Sequence, residues 1–284
     1  MKSMRATRPR PLCSAIMAAV LSVGCLQRMP PHVPGEPREF ERLLMLNGHQ
    51  LTVHLTTTAR VAWRSVILYA TGDGGWRGKD VDTYRKLVSM GHPTAGFSSP
   101  EYLKYLGGGS ETTTPARLAR DYDAILDFSK TSLMLSADTP VILVGVSRGA
   151  GLAVVAAGQG LLRPELTGVV AIGLTREEEH VHRFTRRLQR SGDPQGRSPI
   201  IIQTYQYLRR LGPQPISVIQ STRDNYLPAD AARLLFGPDT DRRQFHAIDA
   251  RNHGFGNARP LLYDAIQASL VWIDRLTAEA RLHP

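Results

Sequence analysis

The sequence predicts an α/β fold with a mostly parallel central sheet and helices on both of its faces. Short runs of β-branched and apolar residues recur along the chain, segments with helical periodicity separate them, and glycine-rich turns follow two of the runs. Alternating strands and helices place the connecting helices over both faces of a parallel sheet. The chain has 284 residues, 42% of them hydrophobic and 21% charged, which is typical of a globular protein.

The individual elements follow from the same patterns. The predicted strands are Glu41–Leu46, Leu51–Thr56, Ser65–Ala70, Thr94–Phe97, Val141–Val146, Val169–Ile172, Ile216–Ile219 and Phe245–Ile248. Asn47-Gly48 separates the first two of these and is a hairpin signal, because both residues tolerate positive φ. Apolar residues at helical spacing predict helices over Pro115–Phe128 and Leu261–Leu276.

Residues 1–26 have the pattern of an export leader. Four cations precede Leu12–Gly24, an uncharged run that is shorter than the roughly 20 residues of a membrane-spanning helix. Gly24-Cys25 is similar to a bacterial lipobox and predicts a lipid-modified Cys25, although Ser22 stands where a large aliphatic residue is usual. Cleavage elsewhere, or an uncleaved leader, is the alternative. We expect the protein in the periplasm.

The rest of the chain divides into a linker and one domain. Residues 27–39 are rich in proline and predict a spacer, and residues 40–284 form the α/β domain. Within it, the arginine-rich segment 174–212 is too long for a plain connection. We interpret it as helical, and either as a cap over the active site or as an ordinary crossover with a solvated basic face.

Composition also limits the partners. The net charge is +10, and for an exported protein this favours anionic membrane lipid or another envelope polymer as partner and argues against nucleic acid. Solubility alone is the alternative reason for the charge. Both cysteines, Cys13 and Cys25, lie in the leader, so the domain has no cysteine nucleophile or disulfide.

The main chemical signal is Gly145-Val146-Ser147-Arg148-Gly149. It follows a buried strand and precedes a helix of small residues, which is the strand–turn–helix context of a nucleophile elbow. In such a turn the serine hydroxyl is exposed at the start of a helix, where the helix dipole favours developing negative charge. The context therefore predicts an α/β-hydrolase fold with Ser147 as the nucleophile.

An acid and a histidine should follow the serine in that order. Asp224 lies in the loop after Ile216–Ile219, and His253 lies in the loop after Phe245–Ile248. His253 would take the proton of Ser147, and Asp224 would fix the imidazole tautomer. Asp249 is the rival acid, and we interpret His246 as structural. His180 and His182 lack clustered carboxylates, so we expect no metal site and no cofactor.

The oxyanion hole needs two backbone N–H groups. Arg148 should supply one, and the loop Gly72–Trp76 after the third strand should supply the other, through Asp73 or through Gly74. We also expect Asp73, Gly74 and Trp76 to contact substrate. The Asp73 carboxylate would bind a substrate ammonium group, or alternatively would cap the amides of Gly75 or Trp76.

The run Gly72-Asp73-Gly74-Gly75-Trp76, the elbow, and Asn252-His253-Gly254-Phe255 resemble the bacterial VirJ/AcvB-type virulence family of periplasmic α/β-hydrolases. The resemblance covers about Val61 to Trp272. It departs in a short N-terminal region and in Ser147-Arg148 at the elbow. It implies Ser147, Asp224 and His253 as catalytic residues, and an activity that removes lysyl or alanyl groups from phosphatidylglycerol.

Three functions therefore compete. The first is an envelope serine hydrolase acting on aminoacylated phospholipid. The second is a general esterase or peptidase with the same catalytic residues. The third is a non-catalytic binding or secretion-accessory protein on a hydrolase scaffold. Reaction with a fluorophosphonate probe would separate the third from the other two, because only an activated serine is labelled.

Overall fold

The structure is a computed structural model that describes residues 37–58, 65–106, 114–162, 165–179 and 201–282. The leader, Cys25, most of the proline-rich linker, His180 and His182 lie outside the described residues. Among the helices that are described, none combines the length and apolar character needed to cross a bilayer.

The strands confirm the predicted pattern. They are β1 Glu39–Leu46, β2 His49–Thr56, β3 Val66–Ala70, β4 Thr94–Phe97, β5 Val141–Val146, β6 Leu166–Ile172, β7 Glu177–Glu179, β8 Ile201–Gln203, β9 Ile216–Ser221 and β10 Arg243–Ile248. Eight of them form one sheet in the order β1-β2-β4-β3-β5-β6-β9-β10. β2 pairs antiparallel with β1 and β4, and the other neighbours are parallel. The mostly parallel sheet is thus confirmed.

The turn between β1 and β2 forms where the sequence predicted a hairpin. Asn47 and Gly48 have φ values of 53° and 81°. Two successive positive φ values give the twist that a right-handed pair of strands needs in a two-residue connection. Asn47 Nδ2 also donates to Asp121 Oδ1 over 2.9 Å, which fastens the hairpin to the helix beneath it.

Helices cover both faces of the sheet. Their bounds are α1 Lys79–Ser89, α2 Ser99–Leu106, α3 Pro115–Ser132, α4 Arg148–Ala157, α5 Thr204–Leu208, α6 Ala229–Phe236 and α7 Arg259–Leu282. Successive residues of a strand point to opposite faces. Accordingly, Leu68 and Leu143 join a core with α3, α4 and α6, whereas Ile67 and Ile142 join a second core with α1 and α7.

The segment 174–212 is only partly helical. β7 and β8 pair antiparallel as a small separate sheet, and α5 follows β8 directly. The expectation of a helical segment is therefore wrong at its two strands and right at α5. Residues 180–200, between β7 and β8, are not among the described residues.

A tight crossing joins β5 and α4 to β3. A Cβ atom added at Gly145 would lie 2.2 Å from the carbonyl oxygen of Gly149, and one added at Gly149 would lie 2.2 Å from the carbonyl oxygen of Ala70. No side chain fits at such separations, because the neighbouring atoms belong to backbone. The two glycines therefore let the elbow pack directly on β3.

Gly149→Ala tests this crossing. The added methyl group must displace the backbone of β3, and overpacking of a dense interior costs about 1–3 kcal/mol or more. We expect a loss of at least this size in the free energy of unfolding, measured by urea denaturation. Gly74→Ala is the matched control, since its added Cβ would lie 3.4 Å from Asp80 Oδ2, at ordinary contact distance. Equal stability of the two variants would contradict the crossing.

Candidate active site

Ser147 has the backbone conformation of a nucleophile elbow. Its φ and ψ are 52° and −116°, an unusual region for a residue with a side chain. The Ser147 N–H donates to the Ile172 carbonyl on β6 over 2.7 Å, and the Ser147 carbonyl accepts from Ala150 and Gly151 at the start of α4. These bonds hold the strained turn and leave the side chain at the first turn of the helix.

The structure brings Asp224 and His253 together. Asp224 Oδ2 lies 2.6 Å from His253 Nδ1, although the two residues follow different strands. The Asp224 carboxyl is almost fully buried and accepts three further hydrogen bonds, from Gln220 Nε2, the Tyr226 N–H and the Leu227 N–H. A carboxylate with four donors is fixed in position, and it in turn orients the imidazole.

The other nitrogen of His253, Nε2, is not the one that Asp224 binds. Nε2 is buried and has no hydrogen-bond partner within the described residues. Ser147 and His253 line the same cavity, but the hydrogen bond between Ser147 Oγ and His253 Nε2 is not formed in this structure. Catalytic hydrogen bonds are often long without substrate and tighten when it binds.

Gly173 allows the imidazole to reach this position. It follows β6 with φ of 62°, and a Cβ atom there would lie 2.9 Å from His253 Cε1. Any side chain at Gly173 would thus push the ring away from the nucleophile. This requirement could not be predicted from the sequence, because Gly173 belongs to no motif.

Asp80 fixes the loop that follows β3. Its Oδ1 accepts from the Gly72 N–H and from the Tyr69 hydroxyl, each over 2.9 Å. Burial raises the pKa of the Asp80 carboxyl above its ordinary value, and the Gly72 N–H opposes that rise. Gly72 itself packs against the elbow, with an added Cβ only 3.5 Å from Ser147 Cβ. The loop is therefore held beside Ser147, and its part in an oxyanion hole stays a prediction.

Asp73 points at a different cation from the one expected. Its Oδ1 forms a short ion pair with Arg148 Nε, and Arg148 Nη1 also lies 3.8 Å from Glu178 Oε2. Burial raises the pKa of the Glu178 carboxyl, with the Arg148 guanidinium opposing the shift. The Asp73 carboxylate thus meets a protein cation, Arg148.

Trp76 lies outside the cavity lining. Its indole stacks on His54 of β2, with ring centroids 3.7 Å apart and an interplanar angle of 2°, and meets Tyr84 of α1 edge-on. A Cβ added at Gly96 would clash with the indole at 2.7 Å. The expected substrate contact of Trp76 is therefore corrected to a packing role beneath the loop.

The rival residues lie away from the serine. Asp249 is exposed and pairs with Arg223 over 2.9 Å. His246 lies in β10, with its Nε2 3.4 Å from Ser269 Oγ on α7, and burial lowers its pKa. Neither residue lines the cavity that holds Ser147.

The cavity itself has a volume of about 870 Å³. Besides Ser147 and His253, its lining includes Asp73, Gly74 and Arg148 of the predicted oxyanion hole. Charged side chains that sequence reasoning missed are also present: Lys79, Asp80, Arg176, Glu177, Glu178 and Arg259. In the described ranges there is no group of three or more histidine, cysteine or acidic side chains suited to a metal ion.

Comparison with known structures identifies the fold. Est1E from Butyrivibrio proteoclasticus superimposes with a TM-score of 0.57 at 11% identity, covering 82% of this chain and 98% of its own. An esterase of Pyrococcus furiosus gives 0.56 at 14%, covering 86% and 99%. The esterase domain of a Rhodothermus marinus protein gives 0.52 at 19%, covering 87% and 98%. At these identities the likeness shows the fold, which is that of the α/β-hydrolases.

Sequence comparison supports the family resemblance over part of the chain. No curated protein sequence matches the chain. The family described as bacterial virulence protein (VirJ) matches residues 64–184, a range that contains the loop Gly72–Trp76 and the elbow around Ser147. The resemblance to the VirJ/AcvB-type family is confirmed over residues 64–184, on an α/β-hydrolase fold.

Proposed function

We propose that this protein is a serine hydrolase of carboxylic esters, with Ser147 as nucleophile, His253 as general base and Asp224 as the orienting acid. The hydrogen bond between Asp224 and His253, beside a strained serine in one cavity, carries the proposal. It is supported by solved relatives in fold that are described as esterases.

The reaction follows from the positions of these groups. Ser147 Oγ attacks the ester carbonyl while its proton passes to His253 Nε2. The negative oxygen receives hydrogen bonds from the Arg148 N–H and from the N–H of Asp73 or Gly74. His253 then gives the proton to the departing alcohol, and a water molecule, deprotonated by the same nitrogen, releases the acid from Ser147.

For the substrate we propose an aminoacyl ester of phosphatidylglycerol. This lipid has an ammonium group next to the scissile carbonyl and a phosphodiester on the alcohol side. The cavity offers groups of both signs, with Glu177 and Glu178 on β7 and cations elsewhere in its lining. The family resemblance favours the same substrate class.

We further propose that the protein works at the cell envelope and is held at the membrane through Cys25 or a basic surface. The leader pattern and the net charge of +10 support this.

Ser147→Ala should abolish ester hydrolysis and fluorophosphonate labelling with little change in stability.

Asp224→Asn should lower kcat by about 10⁴-fold, because an amide at this position holds the wrong histidine tautomer. Asp249→Asn is the control and should stay within about twofold, as for most exposed sites. A labelled Ser147→Ala protein, or a reversed order of the two aspartates, would contradict the catalytic assignment. An unlabelled wild-type protein would favour a binding role.

Asp73→Asn should lower kcat by the same factor for two esters of one alcohol, the alanyl ester, which has an ammonium group, and the propionyl ester, which has none. Its carboxylate is engaged by Arg148, so the variant disturbs the oxyanion loop, and misplacement of this kind costs about 10- to 100-fold in kcat. The measurement is kcat and KM for both esters. A loss confined to the alanyl ester would instead mean that Asp73 binds the substrate ammonium.

Cys25→Ser should move the protein from the membrane fraction to the soluble periplasmic fraction. Stable anchoring takes several lipid chains, or one chain together with basic contacts, so loss of the lipid-modified cysteine should release the protein. Immunoblots of the two fractions give the result. A wild-type protein that is already soluble would contradict lipidation and leave export untouched.

A further inference from the structure

Two cations line the cavity on the side of α1 and α7. Lys79 is the first residue of α1, and Arg259 is the first residue of α7. These helices pack on one face of the sheet, whereas α4, which carries Arg148, packs on the other. Ser147 stands between them at the end of β5. The two cations therefore reach the cavity from helices on the face of the sheet opposite to α4, which carries Arg148.

Arg259 is fixed before any ligand arrives. Its Nη2 lies within hydrogen-bonding distance of the Lys79 carbonyl, Thr83 Oγ1 and the Tyr263 hydroxyl, at 3.1, 2.8 and 2.7 Å, and shares its two hydrogens among them. The guanidinium also stacks over the Tyr263 ring at 4.8 Å. A side chain that is already ordered loses little conformational entropy when it binds a ligand.

Lys79 reaches over the loop that carries the catalytic histidine. A Cβ added at Gly256 would lie 3.1 Å from Lys79 Nζ, and one added at Gly254 would lie 3.4 Å from it. Within the described residues, neither Lys79 nor Arg259 forms an ion pair. Asp80 is the nearby carboxyl, and its Oδ1 is committed to Gly72 and Tyr69. The two cations outnumber the one carboxyl that α1 contributes to the lining, which favours an anionic group beside them.

We propose that Lys79 and Arg259 form a binding site for a phosphodiester on the alcohol side of the substrate. The proposal rests on the proposed ester hydrolase function and adds the direction in which the ester lies. Arginine offers a planar set of donors to phosphate oxygens, and lysine offers a point charge. The acyl group then faces α4 and β7, and the leaving alcohol faces α1 and α7.

The site can be tested without catalysis. Binding of glycerophosphoglycerol, a soluble phosphodiester, to the full-length chain is measured by calorimetry, with glycerol and inorganic phosphate as comparison ligands. Lys79→Gln should weaken binding by about tenfold, as expected for loss of a charged hydrogen bond. Arg85→Gln, an exposed cation further along α1, is the control and should match wild type. Arg259→Lys keeps the charge and should weaken binding less than Lys79→Gln.

Two outcomes of this experiment would overturn the site. One is binding that Lys79→Gln and Arg85→Gln leave equally strong. The other is inorganic phosphate binding as tightly as the phosphodiester, which would mean a site for any anion. Both readings are independent of whether the protein hydrolyses esters.

Kinetics separate this proposal from the function on which it rests. Alanyl-glycerol and alanyl-glycerophosphoglycerol share the acyl group and differ in the phosphodiester. The ratio of their kcat/KM values should favour the phosphodiester, fall about tenfold in Lys79→Gln and stay constant in Arg85→Gln. An unchanged ratio in Lys79→Gln, with both esters hydrolysed, overturns the phosphodiester site alone. If wild type hydrolyses neither ester, the hydrolase proposal fails and the binding experiment decides the site.

Discussion

The crossing of α4 over β3 is the constraint on which the site depends. The backbones of Gly149 and Ala70 approach so closely that an added Cβ would lie 2.2 Å from a carbonyl oxygen. Contact between two backbones leaves no room for adjustment, unlike contact between side chains. It fixes the start of α4, the strained Ser147 and the loop after β3 as one unit, and the two oxyanion donors that we propose belong to opposite sides of that contact.

The sheet decides which charges meet at this unit. Because successive strand residues face opposite sides, α4 and α6 gather on one face, and α1 and α7 gather on the other. Each face delivers its own side chains to the carboxyl ends of the strands. Glu178 packs against Gly151 of α4, whereas Lys79 and Arg259 begin α1 and α7. Strand alternation thus determines which charged side chains reach the cavity from each face of the sheet.

The sequence predicted the features that depend on residues close together in the chain. The strands, the hairpin at Asn47-Gly48 and the elbow at Ser147 are all defined by residues adjacent in the chain. Arg259 and Thr83 hydrogen-bond across 176 positions, and no periodicity connects them. Trp76 was misplaced for the same reason, since nothing in its glycine-rich run indicates that β2 presents His54 as a stacking partner. Glu178 stands in a run of three glutamates that resembles an exposed face, yet it is buried.

Asp73 and Arg148 are each unexpected at their positions, and the ion pair between them explains both. An acid in an oxyanion loop is unfavourable, because its charge repels the negative oxygen of the transition state. A bulky cation directly after the nucleophile is equally unexpected in a crowded turn. Paired with each other, they cancel most of that repulsion, and the ion pair links the loop to α4 next to the crossing. In the hydrolase that we propose, the Arg148 N–H would bind that oxygen, while the Arg148 guanidinium holds the loop that would supply the other donor.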